Sequence, residues 1–208
     1  MIVVGYPGIG KSTLCQHREN CIDLESSCFD KSNKQWYKDY CNVAVDLHKQ
    51  GNIVLVSNHH LVYKELSSKD VLNTTNLVFV FPSLQLRDDW ITKLGDRYNK
   101  EKTKKNEAAW LRATNCYFED ILNLVNFVRK HGFRYCCVNS MQYQLDYIVR
   151  GLEESKTSNN IDEANKVCGL CKHFLGMGDY NLCCDKQYDL TYTFSKPCSM
   201  FEGGRANE

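Results

Sequence analysis

The chain has 208 residues, 43% of them hydrophobic and 12% aromatic, enough for a buried core in one domain with an appendage. Its 26 Lys and Arg against 25 Asp and Glu leave a net charge of +1, so no overall field draws it to nucleic acid or to an anionic membrane. No apolar run approaches the roughly 20 residues that span a bilayer and the start lacks a leader pattern, so the chain reads as cytoplasmic, where clustered thiols hold metal rather than form disulfides.

Residues 2–4 (IVV) predict a buried strand running into the glycine-rich stretch GYPGIGKS, with helix from Lys11 onward. Residues 21–24 read as a second short strand ending in acids. Over residues 33–50, Trp36, Tyr40, Val43, Ala44 and Leu47 recur at helical spacing, and Gly51 supplies the stop. Residues 52–56 and 77–81 are the third and fourth strands, the latter closed by Pro82. Leu86, Trp90, Ile91, Leu94 and Tyr98 mark an amphipathic helix, and a longer one over 107–130 ends at Gly132. Residues 133–138 give a fifth strand, followed by a helix carrying Leu145, Ile148, Val149 and Leu152. Strands alternating with helices imply a parallel sheet covered on both faces, because parallel neighbours need crossover connections. Residues 1–152 thus predict a three-layer α/β domain with a five-stranded parallel sheet. Residues 153–165, polar and rich in Ser and Asn, predict a linker, and residues 166–208 a cysteine-rich module.

Gly5, Gly10, Lys11 and Ser12 form GxxxxGKS between the first strand and its helix. Glycines there let backbone N–H groups curl round a β-phosphate, Lys11 reaches the β and γ oxygens, and the Ser12 hydroxyl takes a magnesium position. The pattern resembles the P-loop kinases, the family of nucleoside monophosphate, shikimate, gluconate and polynucleotide kinases. That resemblance implies a P-loop NTPase fold, ATP and Mg2+ as cofactors, and Gly5, Gly8, Gly10, Lys11, Ser12 and Thr13 as nucleotide contacts.

Hydrolytic P-loop machines hold magnesium and the attacking water with an acid at the end of a later strand. Here the third strand ends in Ser57, Asn58, His59 and His60, the fourth also lacks a carboxylate, and the guanine-reading NKxD is missing. The acids follow the second strand instead, as CIDLES with Asp23 and Glu25. This looks like the DxD-type element of small-molecule P-loop kinases, whose first acid helps hold magnesium and whose second meets the acceptor hydroxyl; Glu25 departs from that pattern in place of Asp. The plainer alternative is that both acids cap the next turn.

Kinases of this family close a cationic lid over the phosphates, because charge on the transferring group must be neutralised where water is excluded. Arg87, Arg97 and Arg112 flank residues 99–106 (NKEKTKKN) where a lid is expected, with Arg97 the first choice for catalysis and the other two as nucleotide contacts. The alternative is that all three sit on solvated helix faces. Lys100, Lys102, Lys104 and Lys105 could meet a nucleic-acid backbone, a reading weakened by the interleaved Glu101 and Glu107. His59 or His60 could touch the acceptor, or both could be surface histidines at a helix start. Trp36, Tyr37 and Tyr40 could stack on a base, or pack their helix onto the sheet.

In the tail, Cys168 and Cys171 have the CxxC spacing that lets two thiolates grip one metal, and Cys184, or Cys183 in its place, with Cys198 completes four. Thiolate-bound zinc contributes on the order of 10 kcal/mol to folding, which can order a segment too short for its own core. The metal is expected to be Zn2+; the Cys184 to Cys198 spacing is similar to that of the last two ligands of high-potential iron–sulfur proteins, which makes a 4Fe-4S cluster the alternative, with reduced thiols without metal as a third case. Cys136 and Cys137 read as core of the fifth strand, and Cys15, Cys21, Cys28, Cys41 and Cys116 as scattered thiols.

The expected activity is ATP- and Mg-dependent phosphoryl transfer to a nucleotide, nucleoside or similar small acceptor. The alternatives are a polynucleotide end kinase, and a regulatory module that binds nucleotide without transfer.

Overall fold

A computed structural model describes residues 1–70, 72–73 and 76–157, with the side chains of 154–157 left aside. Five strands form one sheet: β1 (Ile2–Gly5), β2 (Cys21–Asp23), β3 (Ile53–Ser57), β4 (Leu77–Pro82) and β5 (Arg134–Val138). All neighbours run parallel, in the order β2-β3-β1-β4-β5. Six α-helices connect them: α1 (Lys11–Gln16), α2 (Trp36–Lys49), α3 (His60–Ser67), α4 (Arg87–Lys100), α5 (Lys104–His131) and α6 (Leu145–Thr157).

Every residue of β1 and β4 is buried, as are the first four of β3. Successive side chains of a strand point to opposite faces, so continuous burial means that helices cover both. The helices fall into two groups. On one side Tyr63 of α3 meets Phe127 of α5 with ring centroids 4.7 Å apart, and both touch Phe79 of β4. α1 and α6 form the other, tied by Arg18, just past α1, to Asp146 and Glu153 of α6. The α/β class and the five-stranded parallel sheet expected from the pattern are thus present.

Boundaries differ in two informative places. α6 continues to Thr157, with Glu153 held by Arg18, so the polar stretch expected as linker starts as helix. Between α4 and α5 the expected eight-residue loop shrinks to residues 101–103. The Thr103 side chain caps α5 by accepting the Asn106 N–H at 3.2 Å, and the buried Asn106 amide donates to the Glu101 carbonyl at 2.8 Å. α4 and α5 therefore make a helical hairpin with a tight, locked tip. The expected four-cysteine site (Cys168, Cys171, Cys183 or Cys184, Cys198) lies outside the described residues.

Candidate functional site

Parallel sheets bind ligands beyond the carboxyl ends of their strands, and the glycine loop leaves that edge from β1, the central strand. Registers of Gly5 with Ser57 on β3 and with Val80 on β4 hold the loop's base from both sides. Gly8 and Gly10 adopt left-handed backbone conformations, φ 83° and 97°, which side chains with a Cβ resist. Gly10 then opens α1, so Lys11 and Ser12 leave the loop on a first helical turn.

Lys11 donates from Nζ to the Gly5 carbonyl at 2.9 Å, folding back over the loop. Burial holds its pKa below the usual lysine value, opposed by the carboxylates of Asp23 and Glu25 and assisted by the charges of Lys105 and Arg97. Those four charged groups therefore lie close enough to act on the loop's ammonium. The Ser12 hydroxyl donates to Asp23 Oδ2 at 2.6 Å. Asp23 stands at the end of β2, and its Oδ1 is buried without a hydrogen-bond partner among the described residues. A buried carboxylate oxygen left open beside a serine hydroxyl suits Mg2+, which takes one or two protein oxygens and keeps phosphate and water for its other positions. The described residues contain no group of three or more His, Cys, Asp or Glu side chains arranged to hold a metal.

Glu25 begins the short 3-10 turn Ser26–Cys28 and makes an ion pair with Lys105, in the first turn of α5. The hairpin tip thus reaches across to the loop after β2. Arg97 lies on α4; its Nε is buried without a partner among the described residues, and its charge is felt by Lys11 and by Lys93. Arg87 and Arg112 are engaged otherwise. Arg87 donates to Asp88 at 2.6 Å and lies over the Phe118 ring. Arg112 grips the buried Asp120 with two hydrogen bonds of 2.7 Å. Thr13 is exposed on α1.

His59 is the N-cap of α3, its ring accepting the Leu61 N–H at 3.3 Å, and burial lowers its pKa with His60 adding to the effect. Tyr40 is fully buried; its hydroxyl donates to the Leu24 carbonyl at 2.7 Å and accepts the Ser57 N–H at 3.0 Å, joining the exits of β2 and β3. Trp36 packs edge-on against Tyr40 and His59. For these residues the geometry fits the packing and capping alternatives. Cys15 and Cys21, on α1 and β2, bring their sulfurs to 2.9 Å, and Cys136 is buried in β5.

Four residues at the site escaped the motif reading. Trp90 donates from its indole N–H to the Pro7 carbonyl at 2.8 Å, and the Tyr143 hydroxyl donates to the Gly8 carbonyl at 3.1 Å. Lys93 donates to the Tyr143 hydroxyl at 3.1 Å, and the Trp90 and Tyr143 rings stack with centroids 5.9 Å apart. Lys105, weighed there only as a nucleic-acid contact, is the fourth in its pairing with Glu25. The signal for the α4 residues was the spacing of 90, 93, 94 and 97, one face of a helix; the signal for Tyr143 and Lys105 exists only in three dimensions.

Comparison with protein-family models, with curated proteins and with solved structures finds no match to this chain.

Proposed function

We propose that the chain is a P-loop kinase that transfers the γ-phosphoryl group of ATP to a nucleotide, nucleoside or similar small acceptor. The observation that carries this reading is the 2.6 Å contact of Ser12 with Asp23 at the foot of the glycine loop, with Lys11 beside it. The acid stands on β2, while β3 ends in Ser57 and a capping histidine; a hydrolytic P-loop machine wants a carboxylate on such a later strand. Ser12 and Asp23 would hold Mg2+, which neutralises phosphate charge. Lys11 and Arg97 supply cations to the same oxygens, and Glu25 faces the acceptor hydroxyl. No helix among the described residues is long and apolar enough to cross a membrane.

Incubation of the full chain with γ-labelled ATP, Mg2+ and separate panels of nucleosides, nucleotides and oligonucleotides tests the reading. Label on a monomer supports it, label on an oligonucleotide end replaces it with a polynucleotide kinase, and nucleotide binding without labelled product leaves a regulatory module. For the cysteine tail we propose Zn2+. Metal analysis of the purified protein with its absorption spectrum decides, since an iron–sulfur cluster absorbs visible light and zinc does not.

A further inference from the structure

One face of α4 is given over to the glycine loop. Trp90, Lys93, Leu94 and Arg97, spaced i, i+3, i+4 and i+7, meet in turn the Pro7 carbonyl, the Tyr143 hydroxyl, the position above Gly8, and the surroundings of Lys11. A Cβ on Gly8 would lie 3.0 Å from Leu94 Cδ2 and 3.3 Å from Trp90 Nε1, so helix and loop are in direct contact.

The direction of these hydrogen bonds matters more than their number. In a trans peptide the C=O of one residue and the N–H of the next point opposite ways, and the described residues contain no cis bond. With the Pro7 carbonyl turned onto Trp90, the Gly8 N–H must point away from α4. No protein acceptor meets that amide among the described residues, whereas the next one, from Ile9, donates to the Tyr6 carbonyl at 3.1 Å. The Gly8 carbonyl, which would otherwise be free to swing and present its negative end to a phosphate, is held by Tyr143.

We infer that Trp90 and Tyr143 are positioning residues for the nucleotide: by holding the carbonyls of Pro7 and Gly8 they keep the Gly8 amide aimed at the triphosphate before it arrives. Lys93 makes this a linkage to the hairpin, because the helix that carries Arg97 also grips Tyr143. The inference rests on the proposed nucleotide binding, and predicts that hydrogen-bonding atoms, rather than ring bulk, set ATP affinity.

The test is Tyr143→Phe, which keeps the stacked ring and removes only the hydroxyl, with Trp90→Phe as a second variant. ATP affinity is measured by calorimetry on the full chain, alongside separate KM values for ATP and acceptor and a thermal melt. Loss of one such hydrogen bond predicts about a five- to tenfold weaker ATP affinity in Tyr143→Phe, with the acceptor KM and the melting temperature unchanged. Equal affinity for ATP in variant and wild type, or parallel rises in both KM values, overturns the inference. Absence of ATP binding by the wild-type chain refutes instead the proposed function on which it rests, so the two failures are told apart by the first titration.

Discussion

Asp23→Asn changes two atoms' chemistry without changing shape. The carboxamide oxygen can still accept the Ser12 hydroxyl now 2.6 Å from Oδ2, so β2 and α1 keep their contact. What disappears is the negative charge, on the side chain whose Oδ1 is buried and open and whose field is the largest opposing the desolvation of Lys11. Interactions with a charged partner are worth about 1.5–3 kcal/mol net, and taking about 2 kcal/mol at 1.36 kcal/mol per decade gives roughly a thirtyfold effect. The expected result is a rise of about that size in the Mg2+ concentration for half-maximal transfer, with the thermal melt little changed. The assay is the initial rate of label transfer against free Mg2+ at saturating ATP. A folded variant with the wild-type Mg2+ requirement would show that Asp23 merely caps the turn after β2, and the reading of Ser12 and Asp23 as a magnesium site would fall with it.

Arg97→Met should lower kcat about a hundredfold, near 3 kcal/mol of barrier, while ATP affinity changes far less; an unchanged kcat would return Arg97 to a surface role. Lys105→Ala frees Glu25 from its ion pair. Because both partners are substantially exposed the melt should barely move, whereas the acceptor KM should rise and the ATP KM stay constant. Tyr40→Phe strands the Ser57 N–H and the Leu24 carbonyl, so urea denaturation should report a loss of about 1–3 kcal/mol. Lys31 is an exposed residue whose ammonium lies over the Trp36 ring, and the partial loss of solvent there lowers its pKa to about 8. Its folded form therefore binds fewer protons than the unfolded chain between about pH 8 and 10.5. The resulting small penalty is present below pH 8 and is relieved as pH rises through that window, so the wild type should gain stability relative to Lys31→Met there, and a flat difference would show that the ammonium stays fully solvated beside the ring.

The sheet was legible because its strands are short apolar runs bounded by Gly51, Pro82 and Gly132, and parallel pairing follows from alternation with helices. The loop was legible because GxxxxGKS constrains backbone and chemistry together. Asp23 could be singled out from its place after the second strand and the resemblance of its stretch to a DxD-type element, and the structure sets it 2.6 Å from the Ser12 hydroxyl. Arg97 acts on Lys11, but Arg87 and Arg112 flank the same segment as cations whose partners, Asp88 and Asp120, could not be told from the string. The lid segment was misjudged as loop because its lysines and glutamates look solvated, and high charge is equally good helix when Thr103 and Asn106 lock the turn. Lys105 and Tyr143 reach Glu25 and Gly8 across 80 and 135 residues of chain, and no local pattern carries that information.

The strand that ends in the loop is flanked by hydrogen-bonded neighbours on both sides, so the loop's root can detach only when the middle of the sheet comes apart. Local opening there costs nearly as much as unfolding the whole domain. On the proposed function, a nucleotide gripped at Gly8 and Lys11 would therefore stiffen β3 and β4 as well as its own cradle. Its affinity should be visible in the slowest-exchanging amides of the protein, and a simple melting curve becomes a binding assay.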